Sequence, residues 1–209
     1  MASQRTLTPT LLAWLWSPIY ATIALMKVIA LVGMPGAGKG LCVEYLEQKG
    51  WPSVYFGGIT VGEVKARGLE INEVNEKAVR EELRAIEGPG VMAKLIIPKI
   101  QALEDSGNKV VIADGIYSWT EYKIFKERYG EDVLIIAVTA PRRIRHERLR
   151  NRPIRPFTEE QVTAREYAEI ENIEKGGPIA NADYIVLNDG TPAESYAQLD
   201  RILQQNDMI

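Results

Sequence analysis

One eight-residue segment restricts the fold of this chain more than any other feature of its sequence. The segment reads GMPGAGKG over residues 33–40; it follows the apolar run Val28–Val32 and leads into a helical segment, Lys39–Lys49. Glycines let such a loop curl so that successive backbone N–H groups point inward, and the start of the helix adds partial positive charge. The lysine supplies a mobile full charge for the β- and γ-phosphates of a nucleotide. The pattern therefore predicts a phosphate-binding loop, which we call the phosphate loop.

The donor-binding set predicted from this loop includes the first residues of the helix that follows. Its members are Gly33, Pro35, Gly36, Ala37, Gly38, Lys39, Gly40 and Leu41. The general motif has Ser or Thr after the lysine, where the hydroxyl binds Mg²⁺, whereas this chain has Gly40 and then Leu41. We therefore expect magnesium to be held through waters and carboxylates, which this ion accepts because it dehydrates reluctantly.

Short apolar runs rich in β-branched residues alternate with helical segments along the rest of the chain. The runs lie at 28–32, 54–56, 110–113, 133–138 and 184–187, and the helical segments at 39–49, 72–88, 89–107, 118–129, 142–150, 159–174 and 193–205. Apolar strands of this kind suit a parallel sheet that helices cover on both faces. The sequence predicts an α/β domain with a doubly wound parallel sheet. Pro98 is expected to kink the helix that contains it.

Composition limits the chemistry that the chain can perform. Its 209 residues are 46% hydrophobic and 25% charged, which is ordinary for one soluble domain. A single cysteine, Cys42, rules out an intramolecular disulfide and a cysteine-built zinc site, and it favours a reducing, cytoplasmic location. We expect Cys42 in the core and the only histidine, His146, at the surface. The net charge of −3 argues against wholesale coating of nucleic acid.

Residues 1–25 form an apolar extension ahead of the predicted domain. The run 11–26 is almost entirely apolar but contains Pro18, and it is shorter than the roughly 20 residues of a spanning helix. We favour translation from Met26, with residues 1–25 outside the fold. A membrane anchor and a packed accessory segment are the alternatives.

A carboxylate follows the strand predicted at 110–113. Asp114 stands at the tip of this strand, where parallel topology would bring it beside the phosphate loop. A carboxylate in that position organises Mg²⁺ or a bound water in phosphoryl-transfer enzymes. Asp114 is therefore the candidate metal ligand.

Residues 142–155 concentrate positive charge. They contain seven arginines against one acid, in a chain whose overall charge is negative. At helical spacing, one face carries Arg145, Arg148, Arg152 and Arg155. Guanidinium groups bind phosphate oxygens bidentately, so we expect at least two of these arginines in a cationic flap over the transferring phosphates. The alternative is a solvated stripe paired with Glu159, Glu160, Glu166 and Glu169.

Four segments carry a resemblance to a known family. They read GMPGAGKG, ELRAIEGPGVMAK around Arg84, VVIADGIYS at 110–118 and ADYIVLNDGT at 182–191. From Met26 onward the chain resembles the P-loop nucleoside monophosphate kinases, most closely the adenylate-kinase-like and dephospho-CoA-kinase-like small ATPases.

The resemblance implies a P-loop kinase domain over 26–209 with five parallel strands. It also implies an acceptor-binding helical region at 57–90, an arginine lid at 150–157 and an acceptor-phosphate contact from Arg84. Adenine contacts are implied for Asn188, Gly190 and Thr191. Catalytic roles fall to Lys39, Asp114, Arg148 and Arg152, and acceptor binding to Gly57, Arg84, Gly115 and Tyr117.

Two acceptor-side positions depart from the family pattern. Tyr117 stands where similar proteins often carry arginine, and Gly57-Gly58 where many have an aspartate after the glycine. ATP binding is therefore more firmly predicted than the identity of the acceptor.

The function expected from these features is transfer of the γ-phosphoryl group of ATP to a nucleoside monophosphate, with Mg²⁺. The expected partners are small nucleotide substrates, with neither nucleic acid nor a membrane. Two alternatives remain open. A hydroxyl acceptor such as dephospho-CoA would require Asp114 to accept a proton, and a nucleotide-dependent switch or ATPase would signal to a protein partner.

Overall fold

The computed structural model describes residues 26–153 and 156–209. The expectations for residues 1–25 and for Arg155 lie outside this part of the chain. No helix within the described residues is long and apolar enough to cross a membrane.

The described residues form a parallel sheet of five strands, as the apolar runs predict. The strands are β1 Lys27–Val32, β2 Ser53–Tyr55, β3 Val110–Asp114, β4 Val133–Thr139 and β5 Tyr184–Leu187, in the spatial order β2-β3-β1-β4-β5. Central strand β1 pairs in parallel with β3 and β4, with Val28 opposite Val111 and Val133. The predicted doubly wound α/β class is confirmed.

Helices surround this sheet on both faces. They are α1 Lys39–Glu47, α2 Gly57–Ala66, α3 Glu73–Glu87, α4 Val91–Asp105, α5 Trp119–Tyr129, α6 Arg142–Asn151, α7 Glu159–Glu171, α8 Gly176–Ala180 and α9 Pro192–Gln205. The helix expected at 159–174 ends at Glu171, and the short α8 follows beyond that segment. Helix α4 continues through Pro98. Proline has no N–H to donate to the preceding turn, and because this turn is exposed, water can solvate the carbonyl left without a partner.

The two faces of the sheet have separate apolar cores. Val28, Ala30 and Val32 of β1 pack with residues of α4 and α5, whereas the intervening Ile29 and Leu31 pack with α1 and α9. Burial on both faces explains why β1 is apolar throughout instead of alternating.

Cys42 belongs to the α1 side of this core. The side chain is fully buried, as predicted, and burial raises the pKa of the thiol to about 11. The cysteine is therefore a structural residue that stays protonated at neutral pH.

Candidate active site

The phosphate loop leaves the carboxyl end of β1 at the edge of the sheet where α/β proteins bind their ligands. Gly36 and Gly38 have φ values of 78° and 86°, which favour glycine. A Cβ on Gly36 would also lie 2.5 Å from the carbonyl oxygen of Arg145, so the loop packs directly against α6. This close approach explains the glycine in physical terms.

Helix α1 begins at the end of the loop. Its N-cap, Gly38, has no side chain to satisfy the first amides of the helix, which leaves them for an anion. The Nζ atom of Lys39, the first helical residue, contacts the carboxylate of Asp114 at the end of β3. The structure therefore brings together the predicted lysine and the predicted metal ligand.

Asn188 braces the loop from the opposite side. The side chain is 3% exposed, and its Nδ2 atom donates to the carbonyl of Ala37 at 2.8 Å. Ser195 Oγ in turn donates to Asn188 Oδ1 at 3.2 Å. The amide side chain is thus engaged in holding the phosphate loop, which the sequence pattern did not indicate.

The rest of the predicted adenine loop lies outside the pocket described below. Thr191 caps α9, because its Oγ1 atom accepts from the backbone N–H of Glu194. Gly190 borders a separate groove along α9. The adenine contacts of Asn188, Gly190 and Thr191 stay predictions.

A pocket of about 340 Å³ opens beside the loop. It is lined by Gly33, Met34, Pro35, Gly36, Gly38, Lys39, Gly40, Tyr117, Arg148, Leu149, Arg152, Arg165, Glu169 and Lys175. The loop, one acceptor-side residue and two lid arginines, all named from the sequence, therefore share one cavity. Arg165 and Lys175 were not predicted, and Glu169 was considered only as a surface partner of arginines.

Three of these residues form a partly buried charge cluster on one wall. Lys175 is 3% exposed, and its Nζ atom pairs with Glu169, while Arg165 Nε donates to Glu169 Oε1 at 3.2 Å. Burial lowers the pKa of Lys175, and the neighbouring carboxylate opposes that effect. Burial would raise the pKa of Glu169, but the two cations outweigh it and hold this pKa below its usual value. Arg165 and Glu169 have the i,i+4 spacing of a helical pair, but no spacing rule relates them to Lys175, which lies in the turn after α7.

Arg84 lies behind the same wall. Its Nη2 atom is 3.9 Å from Glu121 Oε1, and within the described chain its buried Nε and Nη2 atoms have no hydrogen-bond partner. Burial lowers the pKa of Arg84, and Glu121 counteracts this. Glu121 is completely buried and accepts the backbone N–H groups of Tyr117 and Ser118. Arg84 thus adds positive charge on the predicted acceptor side.

The two predicted acceptor-side glycines follow strand ends. Gly57 begins α2 just after β2, and a Cβ there would overlap the ring of Tyr55. Gly115 follows Asp114 with φ 104°, and a Cβ would lie 3.2 Å from the Tyr117 ring. At both positions the absent Cβ leaves room for a tyrosine ring, and contact with an acceptor stays a prediction.

The arginines of α6 fall into two groups. Arg142 and Arg145 both pair with Glu166 of α7, in keeping with the paired-stripe alternative. Arg148 lines the pocket instead, and its buried Nη1 atom has no hydrogen-bond partner among the described residues. Arg152 also lines the pocket and stacks its guanidinium over Phe157 at 4.5 Å. The paired alternative therefore describes Arg142 and Arg145, although their shared carboxylate is buried and not solvated. The flap over transferring phosphates stays a prediction for Arg148 and Arg152.

The expectation of a surface position for His146 is wrong. This residue is 4% exposed, with Nδ1 2.8 Å from Glu159 and Nε2 3.0 Å from Glu166. Sequence spacing could not reveal this, because both carboxylates come from the next helix. The histidine joins α6 to α7 and does not line the pocket.

The protein side chains of this site offer few ligands for magnesium. Asp114 offers a carboxylate beside Lys39, whereas Leu41 offers no oxygen in place of the usual hydroxyl. Residues 26–153 and 156–209 contain no group of three or more acidic, histidine or cysteine side chains that could cage a metal. The donor set suits an ion held mainly by phosphates, with Asp114 as its protein ligand.

Comparison with solved structures defines the class of fold. Shikimate kinase from Acinetobacter baumannii superimposes with a TM-score of 0.57 at 16% identity, covering 90% of this chain and 98% of that one. A gluconokinase from Sinorhizobium meliloti gives 0.50 at 14% identity, covering 87% and 95%. The chain therefore has the fold of P-loop kinases, and the finer resemblance to monophosphate kinases stays a prediction.

Sequence comparison identifies the family. A UPF0200 protein of Thermococcus kodakarensis is 36% identical over 181 residues, which cover 85% of this chain and 97% of the relative. A UPF0200 protein of Sulfurisphaera tokodaii is 35% identical over 185 residues, covering 88% and 99%. The chain belongs to the UPF0200 family. No family model matches it.

Proposed function

We propose that this protein transfers the γ-phosphoryl group of ATP to a small phosphorylated acceptor, in the first instance a nucleoside monophosphate. One observation carries the proposal: the phosphate loop, Lys39 and two arginines of the lid segment line a single pocket. The kinase fold of the structural neighbours supports the same reaction class.

The donor would bind through the loop amides. Their N–H groups and the Lys39 ammonium would hold the β- and γ-phosphates. A triphosphate would compete with Asp114 for Lys39, and the freed carboxylate would then hold Mg²⁺. The ion would neutralise charge that develops on the phosphates.

The chemical step needs no strong base. An oxygen of the acceptor phosphate attacks the γ-phosphorus, the bond to the β–γ bridging oxygen breaks, and ADP leaves with the electron pair. The acceptor phosphate has a second pKa near 6, so it is largely dianionic at neutral pH. Catalysis would rest on positioning and charge stabilisation by Lys39, Arg148 and Arg152.

Product analysis tests this reaction against its alternatives. The full chain is incubated with Mg-ATP and a panel of nucleoside monophosphates plus dephospho-CoA, and the products are separated by mass. The proposal expects ADP together with a diphosphate made from one of the monophosphates. Phosphorylated dephospho-CoA would indicate the hydroxyl acceptor, and ADP with free phosphate alone would indicate the switch or ATPase.

A lysine variant separates this protein's activity from contamination. We expect Lys39→Met to lower turnover about 10³-fold, which at about 1.4 kcal/mol per tenfold corresponds to about 4 kcal/mol. The control is Lys109→Met. Lys109 is exposed and precedes β3, at the amino end of this strand, whereas the phosphate loop follows the carboxyl end of β1. Full turnover in the Lys39 variant would exclude the assigned role.

A further inference from the structure

The partly buried cluster of Lys175, Glu169 and Arg165 lies on a defined side of the pocket. Tyr117, over whose ring Lys175 Nζ sits at 4.7 Å, follows β3, and β3 separates β1 from β2. Arg165 Nη1 also reaches Glu73 in the first turn of α3 at 3.4 Å. The cluster therefore lies toward β2, α2 and α3, away from β4 and β5 on the other side of the phosphate loop.

The position of Lys175 is fixed by several independent contacts. Its backbone N–H donates to the carbonyl of Glu169 at 3.1 Å, and the backbone N–H of Trp119 donates to Ile173 at 3.2 Å. A Cβ on Gly177 would lie 2.8 Å from the Trp119 ring, so the turn after α7 packs tightly on the start of α5. A lysine held in this way keeps little of the freedom that a surface lysine has.

The ammonium of Lys175 can donate more hydrogen bonds than it makes among the described residues. An ammonium group has three N–H donors, and within the described residues Lys175 Nζ donates only to Glu169. Glu169 is shared with Arg165, so its negative charge is divided between two cations. Burying an ammonium group costs free energy, which an anionic ligand in the pocket would offset further.

We infer that Lys175 is a substrate-binding residue whose ammonium, steadied by Glu169 and with Arg165 beside it, binds an anionic group of the acceptor. Of the anions that fit, a phosphate monoester accepts the largest number of such hydrogen bonds. This cation stands over the ring of Tyr117, which lines the same pocket. The inference rests on the proposed function and deepens it, because it selects phosphorylated over uncharged acceptors.

The test separates the acceptor side from the donor side. The full-length protein is first saturated with the non-hydrolysable analogue adenosine 5′-(β,γ-imido)triphosphate, which fills the phosphate loop and the γ-position. Inorganic phosphate is then titrated and followed by ³¹P NMR. We expect Lys175→Met to weaken phosphate binding tenfold or more while the affinity for the analogue changes less than about threefold. Lys175→Arg should restore most of the phosphate affinity, and Lys109→Met should change neither.

The outcomes distinguish this inference from the function on which it rests. Normal analogue binding with phosphate affinity unchanged in Lys175→Met would overturn the inference alone. Failure of the wild-type protein to bind the analogue would overturn the proposed function as well.

A second variant tests the inference if the first variant does not fold. If Lys175→Met does not fold, as judged by circular dichroism, the pair Glu169→Gln/Lys175→Met removes both charges together and avoids a stranded carboxylate. The same tenfold loss of phosphate binding is expected in the double variant. Wild-type affinity in it would contradict the inference.

Discussion

The segment from Arg142 to Arg152 carries two pairs of arginines in different electrostatic surroundings. Arg142 and Arg145 share the buried carboxylate of Glu166, and Arg145 also donates to the carbonyls of Ala140 and Pro35. Arg148, one turn further along, faces the pocket with a buried nitrogen that has no hydrogen-bond partner among the described residues. The first pair has a carboxylate partner within the fold, whereas the positive charge of Arg148 is directed into the pocket.

The difference shows that one charged segment places its arginines in two kinds of surroundings. Arg145 donates to the carbonyl of Pro35 in the phosphate loop, while Arg148 and Arg152 line the adjoining pocket. Positive charge by itself therefore does not identify a candidate binding residue. The candidate role of Arg148 rests on a buried nitrogen at the pocket that has no hydrogen-bond partner among the described residues.

Removing the shared carboxylate should have the largest effect on stability. Glu166→Gln leaves Arg145 and Arg142 without their buried counter-charge, and breaking a buried pair in this way costs about 3–5 kcal/mol. Urea unfolding of the variant and the wild-type protein measures this cost. A loss below about 1 kcal/mol would mean that Glu166 does not hold α6 and α7 together.

Removing Arg148 should affect catalysis instead. We expect Arg148→Ala to lower turnover about 10²–10³-fold, because one donor to the transferring group is lost, with little change in the free energy of unfolding. Initial rates with saturating ATP measure the loss of turnover, and a urea unfolding curve measures the change in the free energy of unfolding. Equal losses of stability in Arg148→Ala and Glu166→Gln would erase the distinction between the two pairs.

The pH dependence of stability should follow Glu166. Burial would raise the pKa of its carboxyl, but hydrogen bonds from His146, Arg145 and Arg142 outweigh burial and lower it. The resulting stabilisation is present above the unfolded-state pKa of about 4.3 and is lost as pH falls through the lower folded-state pKa. The stability difference between wild type and Glu166→Gln should therefore shrink below about pH 4. A difference that is constant from pH 6 to pH 3 would contradict this.

An exposed arginine on the same helix should have the smallest effect. Arg143 is 83% exposed and pairs only loosely with Glu147, at 3.6 Å. Arg143→Ala should change the free energy of unfolding by less than about 0.5 kcal/mol and leave turnover unchanged. A clear loss of activity would show that the surface charge of α6 also contributes to binding.

The fold and the loop side of the pocket could be predicted because their signals are local. A strand, a glycine loop and a helix succeed one another over residues 28–49, and buried parallel strands show as apolar runs. The geometry of Gly36 and Gly38 then follows from what only glycine adopts readily.

The pocket wall formed by Lys175, Glu169 and Arg165 could not be predicted in full, since its contacts join distant segments. Lys175 meets Tyr117 across 58 positions of sequence, and no periodicity relates them. The burial of His146 likewise depends on how α6 packs on α7. Spacing rules describe one element at a time, so they do not reach a charge cluster built from several.

A crystal structure with Mg²⁺ and the imido analogue of ATP would test the central claim most directly. The account predicts the β- and γ-phosphates within hydrogen-bond distance of the amides of Gly36–Lys39. It also predicts that Lys39 Nζ has moved from Asp114 onto a phosphate oxygen. An analogue bound elsewhere, with Lys39 still on Asp114, would contradict the assignment of this loop as the phosphate-binding site.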